Sequence, residues 1–302
     1  MGWRTGQGAE RGEAWTVATG QAARWIALEL DLRAPRTWFG PSWAVLGGVV
    51  SSGQVPLQVG SLVILAVTWL ICEPLLGSLL ALSLEISKAR QGAGTPAAPP
   101  GRWSMPYMRR GSPGRRALDA MAGWLARLAS AWRALGGAAE RWALLALISV
   151  ALGMVAGDVA LAVVALSVLG LLVVAVRKPL RSEARDALGA GQFLAAWLLG
   201  HGAFAGFDYA TVLVGLGFAA IWFAWTRRPP LARGFVAAHI LLAGVLAAVR
   251  APLAAGGVLL LAVPLFALWP DSPSSQRTYL QHTQVYLMAS LLFAAWGLVY
   301  GF

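Results

Sequence analysis

Long apolar runs constrain the fold of this chain more than any other feature. The stretch from residue 59 to residue 84 contains a single charged residue, Glu73. Apolar runs of about 18 residues or more are typical of transmembrane helices, because about 20 helical residues cross the hydrocarbon core of a bilayer. Only 12% of the 302 residues are charged, where a soluble domain has about 25%. We therefore predict an all-α, polytopic membrane protein.

The apolar runs predict about nine transmembrane helices. They cover residues 38–53, 59–84, 143–156, 159–176, 191–204, 210–225, 235–249, 256–269 and 285–300. Lys and Arg are concentrated in the loops 85–141, 177–186 and 226–234, whereas the loops 51–58, 157–158 and 201–208 contain neither. Because cytoplasmic loops are enriched in basic residues, this alternation, which only Arg250 breaks, predicts an inner-membrane protein with a cytoplasmic N-terminus and an external C-terminus.

Two amphipathic segments accompany the predicted spans. Residues 1–36 are expected to form a cytoplasmic N-terminal segment with an interfacial helix at 15–32, before a transmembrane domain at 37–302. Within that domain, residues 91–141 are predicted to be a cytoplasmic insertion, a Pro/Gly-rich linker followed by a basic amphipathic helix at 115–139. Its apolar face contains Leu118, Met121, Leu125, Leu128 and Trp132. Such a helix is expected to lie on the membrane surface.

Composition also excludes several classes of function. The net charge of +11 is spread over separate loops, so it indicates membrane topology and not a nucleic-acid surface. The single Cys72 excludes a disulfide framework. The sequence contains no zinc-ligand spacing, no nucleophile–base pair and no phosphate-binding glycine loop. No metal site is predicted from spacing alone.

Two acidic positions are candidate functional residues. Glu73 lies deep in the second predicted span, where an ionisable residue indicates function by default. The alternative is a hydrogen-bonded acid that satisfies backbone groups freed by Pro74. Glu85 and Lys88 lie near the cytoplasmic end of the same span. Their i,i+3 spacing is more typical of an ion pair than of a metal site.

Histidines and loop arginines are further candidates. A neutral imidazole could ligate the magnesium of a chlorin, and His239 is the best placed by depth among His201, His239 and His282. Packing or interfacial roles are the alternative for each. Arg227, Arg228 and Arg233 could bind phosphate, although a cytoplasmic loop of this type carries such residues without that role.

Residues 37–53, which read T-W-F-G-P-S-W-A-V-L-G-G-V-V-S-S-G, carry a resemblance to a known family. This segment is similar to the first span of chlorophyll and bacteriochlorophyll synthases, which are UbiA-type intramembrane prenyltransferases. The segment P-L-L-G at 74–77 resembles the approach to the family's first aspartate motif, and T-Q-V-Y-L-M-A-S at 283–290 resembles its last span. The resemblance implies a helical bundle around a lateral cavity. The candidate ligand or cavity residues are Trp38, Trp43, Glu73, Glu85, Lys88 and His239.

The chain departs from the family at the catalytic motifs. In such synthases, two aspartate-rich motifs bind a prenyl diphosphate through Mg²⁺. The first motif falls on residues 84–88, where Glu85 is the only acid, and the second falls in or near the loop 226–234, although residues 209–270 contain no Asp or Glu. One carboxylate beside a lysine would hold Mg²⁺ poorly.

This departure favours a non-catalytic relative. It would bind bacteriochlorophyll, carotenoid, quinone or another isoprenoid lipid and serve, with other membrane-protein subunits, in a photosynthetic membrane complex. The alternative is a divergent prenyltransferase that uses Mg²⁺, Glu85 and Glu73, with Arg227, Arg228 and Arg233 on the phosphates. A third possibility, a transporter, would predict inverted repeats, which the sequence does not show.

Overall fold

The computed structural model describes residues 40–54, 58–92, 113–135, 137–176, 182–227, 231–270 and 276–301. These residues form helices and their connections, with no β-strand among them. The elements are α1 (Pro41–Ser51), α2 (Val59–Leu70), a π-helical turn (Ile71–Leu75), α3 (Leu76–Gly92), α4 (Pro113–Leu135), α5 (Gly137–Ala156), α6 (Asp158–Val176), α7 (Ser182–Gly202), α8 (Tyr209–Thr226), α9 (Ala232–Ala248), α10 (Pro252–Ala267) and α11 (Gln276–Tyr300). The all-α prediction is confirmed.

The helix lengths identify a multi-pass membrane protein. Within the described residues, five helices are long and apolar enough to cross a bilayer: Val59–Ser87, Gly137–Ala156, Asp158–Ala175, Tyr209–Thr226 and Thr278–Tyr300. The apolar helices α1, α9 and α10 are shorter, and α7 begins with the polar sequence S-E-A-R-D. A helix overlaps each of the nine predicted spans, but nine crossings, and the orientation of the termini, stay a prediction.

Several helix boundaries differ from the predicted ones. Helix α1 is confined to Pro41–Ser51 because proline suits the first helical turn and Gly53 adopts a positive φ of 71° just after the helix. Helix α5 begins at Gly137 and α11 at Gln276, several residues before the predicted apolar runs. Hydropathy alone did not include these starts, because α5 carries Glu140 and Arg141 there and α11 begins with the polar sequence Q-R-T.

Helix α4 confirms the helix predicted at 115–139, although it ends at Leu135. Met121 and Leu125 on its apolar face are exposed, and Arg115 pairs with Asp119 at 3.2 Å. Exposed apolar side chains beside basic residues suit a membrane surface, a location that stays a prediction. The N-terminal helix predicted at 15–32 and Trp38 lie outside the described residues.

Close packing joins α1 to α7. A Cβ at Gly48 would meet the backbone oxygen of Trp197, and one at Gly200 would meet the backbone oxygen of Val45. Small residues allow membrane helices to approach in this way. The contact brings α1 directly against the backbone of α7.

Large buried side chains fill the bundle around this contact. They include Phe193, Trp197, Phe218, Trp225 and Phe235. Their polar atoms are paired: the Trp197 indole N–H donates to the Thr211 carbonyl at 3.0 Å, and that of Trp225 donates to the Thr283 hydroxyl at 3.1 Å. Buried indoles with satisfied N–H groups fix the rotation of neighbouring helices.

Candidate functional site

Glu73 lies in the π-helical turn between α2 and α3. Pro74 has no backbone N–H, so an α-helical hydrogen bond is missing here, and the chain widens into a π turn. The Glu73 carboxylate accepts from the Ser42 backbone N–H at 3.0 Å and from the Ser42 hydroxyl at 2.8 Å. The Trp69 indole N–H donates to the Ser42 oxygen at 2.8 Å. The wide turn therefore presents its acid to the start of α1.

This contact caps α1 from a neighbouring helix. Gly40, at the N-cap, has no side chain with which to cap the helix. The first N–H groups of a helix lack intrahelical acceptors, and the positive end of the helix dipole favours a carboxylate. Glu73 supplies that acceptor from a residue 31 positions away. Its carboxylate faces Ser42 on α1 and not the backbone around Pro74.

Glu85 is separated from Glu73 along the same continuous helix. At 1.5 Å per residue, the two positions are about 18 Å apart, and the Glu85 side chain is exposed. Ligands of one Mg²⁺ ion lie about 2 Å from the metal, so these two acids cannot share an ion. In the described part of the chain, no group of three His, Cys, Asp or Glu side chains could hold a metal ion. The Lys88 side chain lies outside that part.

A cavity lies between α3, α6 and α7, beside the π turn, with a volume of about 190 Å³. We call it the α3–α6–α7 cavity. Its walls are mostly aliphatic, with two polar side chains and two glycines, and are formed by Leu76, Leu80, Ser167, Gly170, Leu171, Leu188, Gly191, Gln192 and Ala195. A Cβ at Gly170 or Gly191 would meet no atom within 4 Å, and both glycines are exposed. The cavity therefore opens sideways between α6 and α7.

Gln192 connects this cavity to the π turn. Its side-chain nitrogen donates to the Cys72 carbonyl at 3.3 Å. A carbonyl can only accept, so the amide nitrogen must face Cys72. Cys72 is next to Glu73, and Gln192 also forms part of the cavity wall. The turn, the cap on α1 and the cavity are thus adjacent parts of one region.

The histidines lie elsewhere. His239 is buried on α9, its Nδ1 is 2.9 Å from the Phe235 carbonyl oxygen, and its Nε2 has no hydrogen-bond partner. Its ring packs against Phe235 and Phe266, and it does not line the cavity. His282 is exposed and contacts the Thr278 carbonyl. The proposed chlorin ligation by His239 stays a prediction, and the structure does not bring this residue to Glu73.

His201 belongs to the junction of α1 and α7. Its Nδ1 lies 3.0 Å from the Ser51 hydroxyl, and its Nε2 lies 3.0 Å from the Gly206 carbonyl oxygen. The Ser51 hydroxyl in turn donates to the Gly48 carbonyl at 2.7 Å. The buried ring therefore has polar partners on both nitrogens, which is the packing role considered as the alternative for this histidine.

The remaining predicted site residues are spread over the bundle. Trp43 is half-buried and packs against the core. Arg227 follows α8 with its guanidinium 5.8 Å from the centre of the Phe223 ring, and Arg233 is exposed on α9. Arg228 lies outside the described residues. A phosphate-binding role for these arginines stays a prediction.

Sequence reasoning missed Ser42, Trp69, Gly170, Gly191 and Gln192. Gln192 carried a usable signal, because an amide within a predicted span needs a partner and therefore deserves the same scrutiny as a charge. The two glycines gave no such signal, since glycine is frequent in every membrane helix.

No protein-family model, no curated protein and no solved structure matches this chain. Chemically, the arrangement offers a small, mostly aliphatic space between helices, with one amide and one hydroxyl at its wall and no carboxylate among its lining residues. Such a space suits a hydrocarbon chain.

Proposed function

We propose that this protein is a non-catalytic, synthase-like membrane protein that binds the hydrocarbon chain of an isoprenoid lipid or pigment. The α3–α6–α7 cavity carries the proposal. Its lining is mostly aliphatic, and the glycines at its mouth leave space through which a chain dissolved in the bilayer can enter. A ligand that partitions into the membrane needs no aqueous path to such a site.

The cavity volume limits which part of a ligand it accepts. Its volume of about 190 Å³ is close to the roughly 150 Å³ of an engineered cavity that binds benzene. Pockets for drug-sized ligands are larger, about 300–1,000 Å³. A bacteriochlorophyll macrocycle is too large for it, whereas a few carbons of a phytyl, quinone or carotenoid chain fit. We therefore place the chain in the cavity and any large ring outside it, at the bundle surface.

The positions of the acids support the non-catalytic part of the proposal. Cleavage of a prenyl diphosphate needs Mg²⁺ ions held by several carboxylates around one point. Here Glu73 caps α1 through Ser42, and Glu85 is exposed about 18 Å away along the helix. Neither lines the cavity.

The proposal also includes a membrane, an orientation and a role for the protein. The resemblance at residues 37–53 favours a photosynthetic inner membrane, and the loop charges favour a cytoplasmic N-terminus and an external C-terminus. The protein would act there as a subunit or assembly factor. Exposed apolar residues on α9 and α10, such as Ile240, Leu241 and Leu260, offer a surface for lipid or for a second membrane protein.

Extraction of bound molecules from protein purified out of its native membrane tests the proposal. We expect an isoprenoid lipid or pigment, identified by absorption spectroscopy and mass spectrometry, to copurify with the wild-type protein. Gly191→Leu places a side chain in the cavity mouth and should remove that molecule. Gly244→Leu is the matched control, because Gly244 also has open space around it but does not line the cavity. Wild-type protein free of isoprenoids would contradict the proposal.

A divergent prenyltransferase is the second candidate, and the exposure of Glu85 favours testing it. If the protein is such an enzyme, Mg²⁺-dependent transfer from geranylgeranyl diphosphate should be detectable, and Glu85→Gln should abolish it. Transfer by the wild-type protein would overturn the non-catalytic proposal. Transfer that persists in Glu85→Gln would exclude Glu85 as a magnesium ligand.

A further inference from the structure

The Gln192 amide gives the cavity one polar group whose orientation is fixed. Its nitrogen faces the Cys72 carbonyl at 3.3 Å, so its oxygen Oε1 must point the other way. Among the residues that the structure describes, no hydrogen-bond donor contacts that oxygen. Gln192 also lines the cavity. The site therefore has a free acceptor that needs a donor.

The nearby Ser167 does not supply the donor. Its hydroxyl donates to the Val163 carbonyl of the preceding helical turn at 2.7 Å, and a hydroxyl has only one hydrogen. The other lining residues are apolar or glycine. Because Gln192 lines the cavity and no described residue supplies a donor, a ligand in the cavity is the donor that we consider.

The depth of the cavity makes the free acceptor costly. Ser167 lies at the centre of α6 (Asp158–Val176), and most of that helix, Asp158–Ala175, is a candidate membrane span. The middle of a bilayer contains almost no water, so a polar group left without a partner there is unfavourable. A ligand that brings a donor to this depth removes that cost, whereas a pure hydrocarbon does not.

We propose that the ligand of the α3–α6–α7 cavity is a long-chain isoprenoid alcohol whose hydroxyl donates to the Gln192 oxygen. The inference rests on the proposed function for chain binding and adds the chemical group that is recognised. The Cys72 contact holds the amide in place before the ligand arrives, so little side-chain freedom is lost on binding. The π turn that carries Cys72 is a type of helix defect frequent at functional sites.

Three probes with one carbon skeleton test the inference on the wild-type protein. They are geranylgeraniol, its methyl ether and the hydrocarbon in which hydrogen replaces the hydroxyl. Each competes with tritiated geranylgeraniol for the purified full-length protein in lipid nanodiscs. A net neutral hydrogen bond corresponds to an affinity ratio of up to about tenfold. We expect the alcohol to bind about tenfold more tightly than the hydrocarbon, and the ether, which cannot donate, to bind like the hydrocarbon.

Two variants localise the effect. Gln192→Met keeps a long side chain in the cavity wall but removes the amide, so it should bind alcohol and hydrocarbon equally. Gly191→Leu should bind neither probe, and its control Gly244→Leu should behave like the wild type. If Gln192→Met does not fold, the comparison of the three probes on the wild-type protein still decides the question.

The outcomes separate this inference from the proposed function. Equal binding of all three probes would overturn the hydroxyl requirement and leave chain binding intact. An ether that binds as tightly as the alcohol would show that the protein donates the hydrogen bond, which contradicts the orientation of Gln192. Failure of the wild-type protein to bind any probe would overturn both the inference and the proposed function.

Discussion

The two sides of α7 use glycine in opposite ways. On one side, a side chain at Gly200 would meet the backbone oxygen of Val45 on α1, and one at Gly48 would meet the backbone of α7 at Trp197. On the other side, a side chain at Gly191 would meet nothing within 4 Å. Gly48 and Gly200 let two helices touch, whereas Gly191 keeps a cavity open.

The difference shows that the neighbour, and not the residue type, sets the role of a small residue in a membrane helix. Where backbone lies opposite, there is no flexible atom to move aside, and an added methyl group forces the helices apart. Where a cavity or lipid lies opposite, an added side chain meets only mobile groups. The closed side should therefore control stability, and the open side should control what the protein binds.

The largest expected effect is a substitution on the closed side. Gly200→Ala and Gly48→Ala should each lower the free energy of unfolding by about 3 kcal/mol, because overpacking against backbone cannot relax locally. Gly191→Ala is the control and should have almost no effect. The measurement is SDS-induced unfolding of the purified protein in mixed micelles. Equal losses in Gly200→Ala and Gly191→Ala would break the comparison between the two sides.

The helix α1, which packs on the closed side of α7, is also held at its start by the cap from Glu73. Glu73→Ala removes the acceptor for Ser42 and should lower the free energy of unfolding by about 2 kcal/mol, the usual cost of a lost cap or an orphaned polar group. Glu73→Gln keeps a side-chain oxygen and should cost less than about half of that. If both variants lose the same amount in the SDS titration, the negative charge and not the hydrogen bond stabilises α1.

Local hydropathy predicted most of the fold. Every predicted span contains a helix, because an apolar run in a bilayer must satisfy its own backbone and does so as a helix. The apolar pattern could not give the starts of α5 and α11, where charged or polar residues lie outside the hydrophobic segment. It also could not establish how many of the shorter helices cross.

The candidate site was less predictable because its contacts join distant parts of the chain. The sequence identified Glu73 as an unusual buried acid, but its partner Ser42 is 31 residues away and is not distinguished by its type. Depth along the spans made Glu73 and His239 candidate cavity residues, but neither lines the cavity that the structure shows. The contrast between Gly200 and Gly191 depends wholly on which helix lies opposite.

A hydrogen bond joins α5 to α3, one of the three helices around the cavity, and its contribution to stability can be measured. The Trp142 indole N–H on α5 donates to the Ser83 hydroxyl on α3 at 2.9 Å, and both residues are buried. Trp142→Phe and Ser83→Ala should each lower the free energy of unfolding by about 1 kcal/mol. Because they share one hydrogen bond, the double variant should lose less than the sum. Additive losses would show that packing, and not this bond, holds α3 to α5.

The smallest expected effect on stability is at the cavity mouth. Gly170→Leu and Gly191→Leu should change the free energy of unfolding by less than about 1 kcal/mol, because leucine favours a helix over glycine and the new side chain meets open space. The same variants should lose the copurified isoprenoid, whereas Gly244→Leu should keep it. Such a result separates binding from stability on one helix, since Gly200→Ala should show the reverse pattern. A marked loss of stability in Gly191→Leu would mean that the space beside α7 closes in the bilayer, and the cavity could not then be the binding site.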